Sequence, residues 1–316
     1  MRIVFLGSGA FGCESLRWLL AAGHTIPLVL TQPARRSGRG QKTLPTPIFQ
    51  LANSELGLRC IESNDINATE TVNLIQELKP DIILIIAFGQ RIGPELLSLP
   101  DTHVINLHAS LLPKYRGAAP INWAILNGET ESGLTIFSLT KAWDAGAVWG
   151  TLKVIIEPNE TAIDLHDHLA KQGPKLVEEV LKTISEGTYA PQVQDNRLAT
   201  RAPKLKKSDG AIAWSKPASM IHNLIRGLWS WPGAYCHIKQ ESRKPRRITI
   251  ARAELADISS KDHADPGTIL DSLHVICGNG GCLNIHEVKP DNSRLMSFSD
   301  FVNGHQVRPG DLMQDG

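Results

Sequence analysis

The chain has 316 residues, 42% of them apolar and 21% charged, with a formal net charge of +1. That is an ordinary globular balance, enough for about two domains; no window approaches ~18 uninterrupted apolar residues, which excludes a membrane-spanning helix. The first twelve residues lack the apolar stretch and cleavage site of a signal peptide, and Cys13, Cys60, Cys236, Cys277 and Cys282 form no C-x-x-C pair, so the chain reads as cytoplasmic with reduced thiols, neither zinc nor disulfide being implied.

The first strand signal, 3–6 (IVFL), runs into Gly7, Gly9 and Gly12 and then a helical pattern over 11–22. This glycine spacing is the dinucleotide-binding fingerprint. Such a site adds an acid at the end of the next strand to hold a ribose. Here strand 26–31 ends Leu30-Thr31-Gln32-Pro33, with Arg35 and Arg36 beyond it. Those arginines suit a 2′-phosphate, so an NADP-dependent oxidoreductase is one reading. Helical patterns follow at 46–56 and 69–78. The continuous apolar run 81–87 (DIILIIA) fits a strand buried on both faces of a parallel sheet. Strand 104–108, helix 121–126, strands 133–139 and 148–156, and two helices over about 161–171 and 174–185 complete an alternating series. The series predicts an α/β fold with a Rossmann-like, doubly wound, mostly parallel sheet.

Polar, irregular sequence then suggests a linker at 189–205, between domains 1–188 and 206–316. Beyond the linker a helix is expected over 217–228, with Pro217 in its first turn and Ser215 as its cap. Short strand signals at 234–239, 247–252, 268–269, 275–277 and 283–287, separated by turns, predict a small OB-like β-barrel. Charge is uneven along the chain. Between 15 and 54 there is no acid, and from 201 to 252 twelve basic residues, Arg226 among them, face only Asp209 and Glu241. One basic stripe on a near-neutral chain points to a polyanionic partner.

The stretch INLHASLLPKYRG, 105–117, carries the chemistry. Strand alternation puts Asn106 and His108 on one face, at the C-terminal strand end where open α/β sheets bind ligands. Asp144 follows strand 133–139 in a small-residue loop and is expected at the same crevice through that strand's C-terminal end. A carboxylate facing an imidazole orients it and favours its charged form. The Asn106 amide and a charged His108 then make two donors for one developing oxyanion. This arrangement suits acyl transfer without a covalent enzyme intermediate, and no nucleophile elbow or catalytic-cysteine signature is present.

Asn106, His108, Ser110, Leu111, Leu112 and Pro113, followed by Asp144 in a D-x-G turn, resemble the core motif of the tetrahydrofolate-dependent formyltransferases. The resemblance implies a Rossmann-like sheet that holds a folate in place of a dinucleotide. It implies 10-formyltetrahydrofolate as donor, lying against Phe88, Gly89 and the 110–113 loop, with Asn106, His108 and Asp144 catalytic and no metal. The loop 31–47 (TQPARRSGRGQKTLPTP) resembles the insertion by which one branch of the family grips a tRNA acceptor arm. On that resemblance Arg35, Arg36, Arg39 and Lys42 are tRNA-binding, and initiator methionyl-tRNA is the partner of a monomeric enzyme. Ala202-Pro203-Lys204-Leu205, Trp231-Pro232-Gly233 and 266–269 resemble that branch's C-terminal domain.

Two motifs depart from the family pattern. The usual G-T-P-[DE]-F-A turn reads Gly7-Ser8-Gly9-Ala10-Phe11-Gly12, and the usual M-D-x-G-x-D-T-G reads Leu139 to Gly146 with only the second acid, Asp144, retained. Formyltransferases acting on aminosugar nucleotides share HASLLPKYRG and a D-A-G turn, so such an acceptor is the alternative. A catalytically silent relative is a third reading.

Overall fold

Alternating strand and helix signals in the first half build a seven-stranded sheet. The computed structural model describes residues 1–37, 42–188, 190–240, 244–259 and 264–316, leaving out also the side chains of 36, 37, 42, 258 and 259. Its contacts divide the chain into two units, one of Met1–Gly117, Ser132–Val154 and His166–Arg201, the other of Ala118–Glu131, Ile155–Leu165 and Ala202–Gly316.

In the first unit the strands are β1 (Arg2–Gly7), β2 (Thr25–Thr31), β3 (Cys60–Glu62), β4 (Ile82–Ile86), β5 (His103–His108), β6 (Glu131–Ser138) and β7 (Val148–Ile155). Their order is β7-β6-β5-β4-β1-β2-β3. From β5 to β3 every pairing is parallel, whereas β6 runs antiparallel to β5. Alternation sorts the apolar side chains onto two faces. Val4, Leu6, Leu28, Leu30, Ile83, Ile85 and Val104 cluster with Ile75 of helix Thr69–Glu77 and Leu96 of the short helix Pro94–Leu97. On the other face Gly12 abuts Phe5 and Ile86, and a Cβ on Gly173 would lie 2.8 Å from Ser15 Oγ and 3.3 Å from Leu107 Cδ2. Helices Cys13–Ala21 and Ala162–Glu186 therefore cover that face. With both faces packed, every residue of β4 is buried, as its unbroken apolar run requires.

The pair of helices expected over 161–171 and 174–185 is one helix, Ala162–Glu186, with Pro174 inside it. An internal proline removes one helical hydrogen bond and crowds a carbonyl, at a cost of about 3 kcal/mol. Leu169 and Ala170 before it and Leu176, Val177, Val180 and Leu181 after it are buried. That continuous apolar stripe outweighs the break.

In the second unit helix Pro120–Leu126 packs on helix Ala218–Leu228, where Gly227 leaves room for Ile125 and Leu126. Asn122 Nδ2 donates to the Gly227 carbonyl at 2.8 Å. Pro217 itself is the N-cap, without a side-chain cap bond, so Ser215 does not serve as one. The strands are β8 (Ala234–Lys239), β9 (Arg246–Ser259), β10 (Val275–Ile276), β11 (Gly281–Pro290), β12 (Met296–Ser297) and β13 (Leu312–Gln314). They run in the order β10-β11-β9-β8-β13, with β12 on β11. Antiparallel bridges from Thr268 to Leu312 and from Ile269 to Val275 join the two ends of this path, which nearly closes the barrel. Its core includes Trp214, Ile221, Ile225, Ile248, Ile250, Leu283 and Phe301. β9 continues past the expected end at 252 because register shifts near Arg252 break the two-residue period without ending the ladder. Helix Phe298–His305, capped by Ser297 Oγ accepting from Asp300 N at 3.0 Å, was not expected from the sequence pattern.

Candidate active site

Parallel order sets the C-terminal ends of β1, β4 and β5 side by side, and the connecting turns meet there. Ser8 N donates to the Ala87 carbonyl at 3.3 Å. The opening glycines serve packing. A Cβ on Gly7 would lie 2.7 Å from Phe5 Cε1 and 3.0 Å from the Ile86 carbonyl, and one on Gly12 3.2 Å from Phe5 Cζ. Ser8 Oγ donates to the Phe88 carbonyl at 3.1 Å and accepts from Gln32 N at 3.0 Å. Gln32 Nε2 donates to the same carbonyl at 2.8 Å. Phe88 thus keeps its ring in the core, 2% exposed, and its carbonyl engaged. Gly89 follows at φ +81°, its missing side chain replaced by Gln32. Of this pair only the Gly89 backbone is free of those engagements.

Asn106 and His108 end β5 on one face. The Asn106 side chain is half-buried and makes no hydrogen bond among the described residues. His108 is buried, and its Nε2–H donates to the Tyr115 carbonyl at 3.0 Å. That bond leaves Nδ1 as the edge facing Asp144, whose Oδ2 lies 4.0 Å away. The Gly117 amide donates to the same Oδ2 at 2.8 Å, so the imidazole and carboxylate are adjacent without sharing a hydrogen bond. Asp144 reaches His108 by a route other than the one expected. β6 is antiparallel, so Ser138 at its end is registered with Ile105, and Leu139 N donates to the Val104 carbonyl at 2.9 Å, far back along β5. The loop after β6 folds back toward His108, and Asp144 adopts a left-handed turn with φ +47°, a conformation that aspartate tolerates better than most residues.

The 110–113 loop is pinned by Thr135, which β6 places opposite His108. Thr135 Oγ1 donates to the Ser110 carbonyl at 2.7 Å and accepts from Leu112 N at 3.1 Å. Ser110 Oγ donates to the Lys114 carbonyl at 2.7 Å. Ser110 and Leu112 are buried while Leu111 and Pro113 are half-buried, so the loop offers Leu111 and Pro113 as its apolar surface. Sequence reading missed Thr135 and the Gly117 amide; the signal for Thr135, an inward hydroxyl in an apolar strand, becomes informative only with the register. Trp143, beside Asp144, is 68% exposed.

Arg35 is exposed at the start of a hairpin that pairs Arg35–Ser37 with Lys42–Leu44. Arg39 lies outside the described residues, as do Arg243 and the side chains of Arg36 and Lys42. Within the basic segment of the second unit, Lys204, Lys206, Lys207, Lys216, Lys239, Lys244 and Arg246 are exposed. Arg226 is instead buried, donating to Asn223 Oδ1 at 3.0 Å and the Glu160 carbonyl at 3.3 Å. Burial holds its guanidinium below the ordinary value. The reason is its place on helix Ala218–Leu228, one turn beyond buried His222 on the face that packs inward. Burial also pushes the Cys60 thiol up to about 11 and Cys277 up to about 12, so both stay protonated at neutral pH. Among the described residues no three His, Cys, Asp or Glu gather as a metal site, and no helix is long and apolar enough to cross a membrane.

A polar strand end, a buried imidazole beside a carboxylate and a pinned apolar loop thus lie on one Rossmann-like sheet. Residues 1–181 match the formyl transferase family and residues 204–306 its C-terminal domain, and the chain belongs to that family. It is 38% identical over 314 residues to the methionyl-tRNA formyltransferase of Geobacter metallireducens, an alignment covering 98% of this chain and 97% of that one. In fold it is similar to the sugar 3N-formyl transferase WlaRD, with a TM-score of 0.65 at 21% identity over 93% of this chain and 99% of that one. It is also similar to HypX from Aquifex aeolicus, with a TM-score of 0.61 at 19% identity, where 96% of this chain spans only 48% of the larger protein.

Proposed function

We propose that this chain transfers the formyl group of 10-formyltetrahydrofolate to the α-amino group of initiator methionyl-tRNA in the cytoplasm, with Asn106, His108 and Asp144 as its catalytic residues. The observations that support the reading are Asp144 Oδ2 4.0 Å from His108 Nδ1 and Asn106 two residues before His108 on the same strand face, in a chain 38% identical to a methionyl-tRNA formyltransferase over almost its whole length. In the reaction a bond forms from the amino nitrogen to the formyl carbon, and the bond from that carbon to the folate nitrogen breaks. Negative charge gathers on the formyl oxygen between these events. The Asn106 amide, uncommitted among the described residues, donates to that oxygen. His108 has Nε2–H spent on Tyr115, so its Nδ1 edge supplies the second donor when the ring carries a proton on both nitrogens. Asp144, fixed by the Gly117 amide, balances charge on the imidazole and, through a water, moves the amine's proton to the departing folate nitrogen. Leu111 and Pro113 cover the faces of the folate's bicyclic ring system, and the Gly89 backbone meets its polar edge. Arg35, Arg36, Arg39 and Lys42 hold acceptor-stem phosphates, and the exposed lysines of the second unit hold the tRNA backbone by charge.

The test offers methionyl-tRNA and an aminosugar nucleotide side by side, with 10-formyltetrahydrofolate as donor. Formylation of methionyl-tRNA alone is the expected result. Formylation of the sugar nucleotide alone, or of neither, overturns the reading.

A further inference from the structure

Residues 192–200, within the segment expected from the sequence as a linker, engage the active-site loop directly. Gln192 and Val148 exchange both backbone hydrogen bonds, at 2.7 and 2.8 Å. Two residues on, Gln194 points inward and is only 7% exposed. Its Nε2 donates to two carbonyls, that of Asp144 at 2.9 Å and that of Gly146 at 2.7 Å. Its Oε1 accepts from Arg116 Nε at 3.1 Å and Nη2 at 2.7 Å. A guanidinium has donors only, so it fixes the amide's orientation: oxygen toward Arg116, both N–H groups toward the carbonyls. Arg116 is held in turn by Nη2 donating to Asn196 Oδ1 at 2.9 Å and by its backbone N–H donating to the Thr200 carbonyl, also at 2.9 Å. Without Gln194 the two carbonyls of the left-handed Asp144 turn lose these donors in a largely enclosed place.

We infer that Gln194 is a positioning residue for formyl transfer, its amide clamping the 144–146 turn to Arg116 so that the Asp144 carboxylate stays beside His108. The inference rests on the proposed role of Asp144. Glutamate at 194 keeps the size and the Arg116 contact but sets a carboxylate oxygen against two carbonyls; alanine removes every contact.

The experiment measures kcat and KM for methionyl-tRNA formylation by the full chain carrying Gln194→Ala, Gln194→Glu, Asp144→Asn, or Gln194→Glu with Asp144→Asn. Each Gln194 variant is expected to lose about tenfold or more in kcat, as misplacement of a catalytic group does, with both KM values within about threefold. The double variant should be no slower than Asp144→Asn alone, because a residue acting only through Asp144 has nothing further to lose. Asn196→Ala, which removes one exposed contact of Arg116, should stay near the parent. Wild-type kcat in Gln194→Glu, or losses that multiply in the double variant, overturns the inference. Amide hydrogen exchange over 139–147 reads the clamp without any substrate. Faster exchange there in Gln194→Glu, with the rest of the first unit unchanged, is expected; unchanged exchange there overturns the clamp. A parent chain that formylates nothing removes the functional reading, while the exchange result still decides the clamp.

Discussion

Gly146→Ala probes how tightly the Asp144 turn is set. A Cβ on Gly146 would overlap the Ser138 carbonyl oxygen, with the Ser138 carbon at 2.8 Å and Thr140 Cγ2 at 3.2 Å. The obstacle is strand backbone. Ser138 is registered with Ile105 across the sheet, and its own N–H donates to the Ala147 carbonyl at 2.9 Å. β6 cannot step aside without breaking its ladder, so the loop must move, by about 1 Å or more, two residues from Asp144. His108 Nδ1 and Asp144 Oδ2 start 4.0 Å apart. With the imidazole protonated on both nitrogens and an effective dielectric near 20, another 1 Å weakens its attraction to the carboxylate by about 0.8 kcal/mol, or roughly fourfold. Misalignment of the proton path adds to this, and a misplacement of that size costs about 10²-fold in rate overall. The assay is kcat at saturating donor and methionyl-tRNA, with tRNA affinity by filter binding and a thermal melt as controls. A fall of about 10² with affinity unchanged is expected. A folded variant within about threefold of the parent kcat would refute the placement argument.

Thr135→Val keeps the shape but leaves the Ser110 carbonyl and Leu112 amide unpaired, at about 1–3 kcal/mol for each group; the melting temperature should drop and the folate KM should rise while the acceptor KM holds, and an unchanged folate KM would count against the loop's role. Burial, then the positive charge of Arg226, lowers the His222 pKa from 6.5. Its contribution to stability is therefore present above pH 6.5 and lost as pH falls toward the lowered folded value, by at most about 1.4 kcal/mol per pH unit. Urea unfolding should show that slope and His222→Gln should flatten it; the same slope in both proteins would contradict the assignment. Affinity for tRNA should fall linearly on a log–log plot against salt, and Lys206→Ala with Lys207→Ala should reduce the slope by about 1–2, whereas a flat response would remove the charge-based interface.

The sheet was legible wherever one local rule dominates. DIILIIA is apolar at every position, and only a strand covered on both faces suits it. Asn106 and His108 share a face by strand period alone, and their chemistry already suggests two donors for one oxyanion, although the formyl donor and the acceptor came from the resemblance. What escaped depends on partners distant in sequence. Strand 131–138 carries no mark of its direction, so the approach of Asp144 to His108 comes by a path other than the one the sequence suggests. Thr135 gains meaning only from its register opposite His108. Pro174 signalled a break that burial on both sides overrode, and bulges near Arg252 hid the length of β9. The Phe88 ring and Arg226 read as available surface, yet packing turned both inward.

The most direct measurement is single-turnover formyl transfer from 10-formyltetrahydrofolate to prebound methionyl-tRNA by the parent chain, Asn106→Ala and His108→Ala. Losing either oxyanion donor should slow the transfer step by about 10²–10³ with methionyl-tRNA still bound as tightly. Transfer at the parent rate in either variant would contradict the account.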